Sequence, residues 1–305
     1  MPELTKDKFQ IIGYSKEEAN KIERPTISYW QDAWRRLRKN PVAMSALVVL
    51  VILIIMVIIG PFIKNYDYIN MNVIDKNLPA SSAHWFGTDN LGRDLFSRVC
   101  VGARASIIIA LLATALKLII GTIYGAVMAH FGGWVDEVLM RVIEVINSIP
   151  SLLLTILIMM VLGNNLFALL VALSITAWCN TARQVRGMIK QLRTSEYVYA
   201  AEVLGANHWH IILKHYIPNM LGILILDTAT AIPMFIFTEA GLSFLGIGLQ
   251  APSISLGVLI ALGQQNMDFY PSQLFFPCLV LCLIVMAFNL LGDGLRDALD
   301  PRLRQ

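Results

Sequence analysis

The chain has 305 residues, 56% of them hydrophobic and 15% charged, with a net charge of +3 and a mean hydropathy of +0.63. Soluble domains average about 45–50% apolar and about 25% charged residues, so this composition excludes an ordinary soluble core and fits a chain whose solvent is largely lipid. So small a net charge carries no nucleic-acid signal, and no nucleic-acid partner is expected.

In chain order, residues 1–40 read as a cytoplasmic N-terminal segment, polar and mixed in charge up to Thr26. Ser28 then caps a short amphipathic helix. Trp30, Trp34 and Leu37 share one helical face, and Arg35, Arg36, Arg38 and Lys39 crowd the rest. Trp with Arg at this spacing suits a helix lying in the headgroup layer, with packing on a soluble partner as the plainer alternative. Residues 41–63 carry no charge. A bilayer needs about 20 apolar residues at 1.5 Å each, so this is the first membrane helix. The run is too long for the apolar part of a signal peptide, and no cleaved leader is expected. Residues 64–104 are polar and contain several glycines, which suits an ordered extracytoplasmic loop.

Residues 105–291 hold five further spans. The second runs from Ala105 to Ala129, interrupted by Lys117, and the Gly132-Gly133 pair ends it. The third runs from about Asp136 to Leu162 as one helix with Pro150 inside. The fourth runs from about Phe167 to Trp178, short for a span but able to extend to Ala182, and a polar loop over 183–218 follows. The fifth runs from Met220 to about Leu245 and contains Asp227, Pro233 and Glu239. A Gly/Pro/Ser-rich link with one weakly apolar piece, Ile254–Leu262, leads to the sixth, about Leu274–Leu291. Residues 292–305 are a charged cytoplasmic tail. Basic residues gather before the first span, in the 183–218 loop (Arg183, Arg186, Lys190, Arg193, Lys214) and in the tail (Arg296, Arg302, Arg304). The excess of Lys and Arg on cytoplasmic segments puts all three inside, with both termini cytoplasmic. The Gly132–Asp136 turn falls on that side without being basic.

Lys117, Asp227 and Glu239 lie inside expected spans, where a charge costs roughly 2.5–3.5 kcal/mol at mid-helix on insertion scales. They should face the bundle, a cavity or one another. Two readings stay open: one or more line a hydrated path, or they pair structurally and snorkel. One arrangement joins Lys117 to Asp227, since opposite charges in one bundle are cheaper together than apart. Arg141 and Glu144, one turn apart, read as an intrahelical pair. Cys278 and Cys282 share a helix face and read as packing residues, no His or carboxylate being near. His208, His210 and His215 are too widely spaced on a helix for a metal site.

The most specific pattern lies in residues 196–219. Ser195 can cap a helix over Glu196–Leu204. Gly205 ends it, Asn207 caps a second short helix, and Pro218 stops that one before the next span. Ala200 and Ala201 let a partner's surface come close, and Gly205 permits a sharp turn. Trp209, Ile212 and Leu213 form an apolar face that seats the loop on its own membrane domain or on a partner.

The Ala200-Ala201 pair, Gly205 after three residues, and Pro218 behind Ile217 resemble the "EAA" loop of ABC importer permeases. The wording Tyr197-Val198-Tyr199-Ala200-Ala201, Leu204-Gly205-Ala206 and His215-Tyr216-Ile217-Pro218-Asn219 looks like the oligopeptide/dipeptide branch, C-type subunit. Tyr199 stands where the general motif has Glu, a departure common in that branch. His84-Trp85-Phe86-Gly87-Thr88-Asp89 with Gly92-Arg93-Asp94 resembles the family's segment ahead of the second span. Phe131–Asp136 with Ser148-Ile149-Pro150, Glu239-Ala240 with Leu242–Gly246, and Gly292–Asp297 with Asp300-Pro301 are also similar to the family. Ser255-Leu256-Gly257 departs from its usual Ser-Trp-Gly.

The resemblance implies an all-α integral membrane protein of six transmembrane helices, an N-terminal helix added to a five-helix type I (MetI-like) ABC-importer permease core. It implies a non-catalytic subunit in a prokaryotic cell membrane, forming half of a peptide path. Tyr199, Ala200, Ala201, Glu202, Leu204, Gly205 and Pro218 would couple it to ATPases. The implied partners are a second, B-type permease, two ABC ATPase subunits that bind ATP-Mg, and an extracytoplasmic peptide-binding protein. No cofactor is implied in this chain. No Gly is followed by Lys, so the chain has no phosphate-cradling G-x-x-x-x-G-K-[ST] loop of its own. Import of nickel complexes or glutathione by the same family is one alternative. An ion-coupled secondary transporter with Lys117, Asp227 and Glu239 as its relay is a distant one.

Overall fold

A computed structural model describes residues 28–63, 71–250 and 253–299. The polar segment up to Thr26 and the Asp300-Pro301 to Arg304 stretch lie outside the described residues. Within them the regular structure is helical. α1 (Tyr29–Lys39) and α2 (Pro41–Ile63) come first, followed by α3 (Leu95–Phe131), α4 (Gly133–Asn147), α5 (Ser151–Leu162) and α6 (Leu166–Leu192). α7 (Glu196–Val203), α8 (His208–Phe244), α9 (Leu256–Gln265) and α10 (Ser272–Leu299) complete the set. α2, α3, α6, α8 and α10 are each long and apolar enough to cross a membrane, and the bent pair α4–α5 brings the count to six when it is taken as one broken span.

Local signals account for most boundaries. Asn40 accepts the N–H groups of Val42 and Ala43 at 3.1 Å and so starts α2 directly after α1. Asp94 takes the N–H of Ser97 at 2.8 Å and starts α3; Asn165 takes that of Ala168 at 2.9 Å and starts α6. The buried residues of α2 are Ala43, Ala46, Leu50, Leu53, Val57 and Gly60, one seam at helical spacing. The remaining faces of α2 are broadly exposed and apolar, as a lipid-facing helix requires.

Several helices differ from the sequence expectation. α3 begins at Leu95, ten residues before Ala105, because Phe96, Val99, Cys100 and Ala103 pack inward and continue the span. The expected third span is two helices bent by 84° at Ser148–Pro150. Proline has no N–H, its ring crowds the carbonyl four residues back, and the residue before it is pushed out of helical geometry. α6 runs on to Leu192, well past Ala182, with Val185 and Ile189 buried. Pro218 does not stop a short helix. α8 is continuous from His208, with a π turn at Ile212–Tyr216 in which the N–H of Ile217 reaches the carbonyl of Ile212. The widened turn leaves room for the proline ring. α10 continues to Leu299, through much of the expected tail.

The core lies between α3, α6, α8, α9 and α10, with α2 against its side. Small residues let the central helices meet. A Cβ on Gly121 of α3 would lie 2.6 Å from Cβ of Thr181 in α6, so only glycine allows this approach. The weakly apolar 254–262 piece becomes α9, capped by Ser255 at Val258 N–H (3.3 Å) and tucked between α8 and α10. At the same end, the 71–94 segment folds into a cap. Asp89 accepts the N–H groups of Leu91 (2.8 Å) and Arg93 (2.9 Å), and Phe86 stacks on Phe276 at 4.1 Å. Gln273 of α10 donates to Asn77 at 2.9 Å.

Candidate functional site

At the opposite end, α7 projects as a short arm. Gly205 has φ +79°, its N–H donates to Glu202 O at 3.0 Å, and that of Ala206 donates to Ala201 O at 3.0 Å. These paired bonds are a Schellman turn, whose reversal glycine adopts without strain. A Cβ at Gly205 would meet nothing within 4 Å, so backbone conformation alone calls for glycine. Val198, Ile211, Ile212 and Tyr216 anchor the arm on Ala126 and Ala129 of α3 and on Val185 and Ile189 of α6. Tyr199, Val203, Leu204, Trp209 and Leu213 face outward, Leu204 being 87% exposed. The expected seating face is therefore divided: Ile212 seats the arm on its own helices, while Trp209 and Leu213 are left for another surface. Ala200 and Pro218 are also exposed, and Ala201 and Glu202 are half-buried.

α3 and α8 run antiparallel and are clasped by polar contacts at three heights among the described residues. Nearest the cap, Glu239 is fully buried. It accepts the hydroxyls of Ser106 and Ser243, each at 2.8 Å, and Ser106 Oγ also accepts the N–H of Leu256 at 3.2 Å. At mid-bundle Lys117 Nζ donates to Asp227 Oδ1 at 2.8 Å, and Thr181 of α6 donates to Asp227 Oδ2 at 2.8 Å. At the arm end His130 Nε2 lies 2.7 Å from His208 Nδ1. Ser106 and His130 are 24 residues apart on α3, roughly 36 Å along a helix, so the outer clasps lie near the two faces of a hydrocarbon core about 30 Å thick.

A cavity of about 570 Å³ opens beside the middle clasp. Lys117, Asp227, Asn180, Thr176, Thr230 and Thr238 supply its polar wall, and Pro150 and Phe235 are among its apolar lining. The structure thus brings Lys117 and Asp227 together at a cavity. Glu239 lies apart, buried among hydroxyls, and does not line it. Arg141 and Glu144 form the expected pair at 2.7 Å on an exposed face.

Two contacts had no local signal in the sequence. His130 and His208 are 78 residues apart, and nothing in either neighbourhood points to the other. Asp136, the acidic residue in the non-basic turn, accepts from Arg186 (2.6 Å) and Lys190 (2.7 Å) of α6. The turn's acidity is answered by the neighbouring helix, which only tertiary packing reveals.

Comparison with known proteins follows the same lines. Residues 117–305 match the model of the family described as "Binding-protein-dependent transport system inner membrane component", and residues 28–80 match "N-terminal TM domain of oligopeptide transport permease C". The chain is 43% identical over 305 residues to the oligopeptide transport system permease protein OppC of Bacillus subtilis, covering 100% of both chains. It is 44% identical to the dipeptide transport system permease protein DppC of the same organism, over 98% of this chain and 94% of that one. It is 37% identical to the glutathione transport system permease protein GsiD of Pectobacterium atrosepticum, over 90% of this chain and 92% of that one.

Proposed function

The chain belongs to the family of binding-protein-dependent transport system inner membrane components, multi-pass transport permeases that are not themselves catalytic, and from that membership we propose that it is half of the translocation path of an ATP-driven peptide importer. A second permease of the same fold completes the path. Two ATPase subunits bind and hydrolyse ATP-Mg, and an extracytoplasmic binding protein delivers the peptide. Full-length identity of 43–44% to permeases named for oligopeptide and dipeptide transport favours peptide as cargo.

One observation carries the mechanism: the outward apolar patch around Leu204 and the cavity residue Asp227 are joined through a single helix, α8. An exposed apolar patch on a short arm is what a docking surface looks like. Seated in an ATPase groove, the arm moves when ATP closes the ATPase pair, and α8 carries that displacement to the cavity. The seat must hold one state more tightly than the other, since equal docking in both would shift nothing. Alternating access follows, with the cavity opening outward when ATP is bound and resetting after hydrolysis. Its polar wall of threonine, asparagine, Lys117 and Asp227 suits a peptide, because each peptide unit offers one N–H and one carbonyl, and the threonine and asparagine side chains can answer either.

The arm end is cytoplasmic in this reading, as are both termini. Tyr29 of α1 donates to Leu299 O at 3.4 Å, and a Cβ on Gly222 in the first half of α8 would lie 2.8 Å from the Tyr29 hydroxyl. The basic residues of α1, of the α6–α7 region and of the end of α10 therefore gather at one end, as the positive-inside rule asks. Reconstitution of the chain with its companion subunits tests the function. ATP-dependent uptake of a labelled peptide into proteoliposomes is expected, competed by unlabelled peptides and not by glutathione or nickel. Uptake driven by an ion gradient without the ATPases would overturn it.

A further inference from the structure

His130 closes the last full turn of α3 and is only 6% exposed. Its Nε2 lies 2.7 Å from Nδ1 of His208, the first residue of α8 and three residues beyond the Gly205 turn. Its Nδ1 meets no hydrogen-bonding group among the described residues, so His208 is that ring's single polar tether there. The two rings border a cleft of about 360 Å³ shared with Glu202 of α7 and Arg193 at the end of α6. Tyr216 packs against His130 from α8, ring centroids 6.1 Å apart. Apolar contacts also join the arm to α3: Ile211, Ile212 and Tyr216 cluster with Ala126 and Ala129. Such contacts hold surfaces together without fixing direction, whereas a hydrogen bond fixes both distance and angle.

We propose that His130 and His208 are positioning residues for coupling: their imidazole–imidazole hydrogen bond fixes the α7–α8 turn to the base of α3, and it persists only while at least one ring is neutral. The inference rests on the coupling role given to α7. An imidazole pair needs one N–H and one bare nitrogen. When both rings are protonated, each nitrogen carries hydrogen, no acceptor remains, and two positive charges face each other at contact distance. Arg193 adds to that repulsion and Glu202 opposes it; Tyr216 is uncharged in this range. Loss therefore runs towards low pH, because only the second proton to reach the pair removes its last acceptor. With the bond broken, the turn keeps its apolar seat but loses its fixed orientation. Displacement of α7 then reaches α8 without being shared by α3.

The test uses the complete transporter in proteoliposomes and reads peptide imported per ATP hydrolysed between pH 8 and pH 5.5. His130→Gln places an amide near the Nε2 position and His208→Asn places one near Nδ1, so both keep the contact without titrating. Each is expected to stay within about twofold of the wild-type ratio at pH 8 and to lack the decline the wild type shows towards pH 5.5. His130→Ala and His208→Ala are expected to lower the ratio about three- to tenfold at pH 8, the worth of one hydrogen bond. Alanine variants that couple normally would overturn the proposal. So would a wild type with no acid decline, or amide variants that decline with acid as the wild type does. Gly205→Val is run alongside. If it uncouples while the alanine variants do not, the clasp fails and the coupling arm stands; if none of them uncouples, the coupling role of the arm fails.

Discussion

Lys117 Nζ and Asp227 Oδ1 lie 2.8 Å apart, joining α3 to α8 at the level of the cavity, and the hydroxyl of Thr181 in α6 holds the other carboxylate oxygen at the same distance. One carboxylate thus ties three helices together. Removing one charge strands the other. Lys117→Met or Asp227→Asn alone is expected to cost about 1–3 kcal/mol, less than breaking a fully buried pair because both side chains border the cavity. The double variant should recover part of that loss. Thermal stability and yield of the detergent-solubilised complex form the double-mutant cycle. Strictly additive losses would mean that each residue acts alone, as separate members of a hydrated path.

The Gly205 turn separates backbone demand from bulk. A side chain there enters open space, so the cost is that of a left-handed conformation, about 1–2 kcal/mol for most residues and less for Asn. Transport per ATP hydrolysed is therefore expected to fall in the order Gly205→Asn, Gly205→Ala, Gly205→Val, with the chain still inserted. Equal behaviour of Asn and Val would show that φ at this turn does not matter to coupling.

Glu239 links Ser106, Ser243 and, through Ser106, the start of α9. Glutamine keeps an acceptor oxygen and gains a donor that a rotated serine hydroxyl can accept. Glu239→Gln is expected to cost under about 1 kcal/mol. Glu239→Leu strands two buried hydroxyls and should cost about 2–4 kcal/mol. Thermal unfolding of the purified complex separates the two. A glutamine variant as unstable as the leucine one would mean that the negative charge itself is needed.

Topology is open to direct labelling. Asn266 follows α9 at the cap end and Arg193 follows α6 at the arm end. In intact cells an impermeant thiol reagent should label Asn266→Cys and spare Arg193→Cys, after the native cysteines are replaced. Labelling at position 193 would invert the bundle and remove the arm from the cytoplasm.

What the sequence determined by itself is what depends on neighbours along the chain. Hydropathy over about 20 residues marked each place where the chain crosses, because a helix satisfies its backbone within its own segment. The reversal at Gly205 and the caps at Asn207 and Ser28 were legible because a turn is set by a few adjacent residues. Helix ends buried against other helices were not: α3, α6 and α10 run past their apolar stretches because neighbours shield them. Nor was the break at Pro150, where composition alone allows either a kinked helix or a bend of 84°. Lys117 and Asp227 stood out by their cost in lipid, which fixes that each needs company but not which partner it finds. Only the antiparallel pairing of α3 with α8 decided that Lys117 meets Asp227, that Glu239 meets serines, and that His130 meets His208. Such contacts join residues tens of positions apart, and they arise from how helices pack rather than from any local pattern.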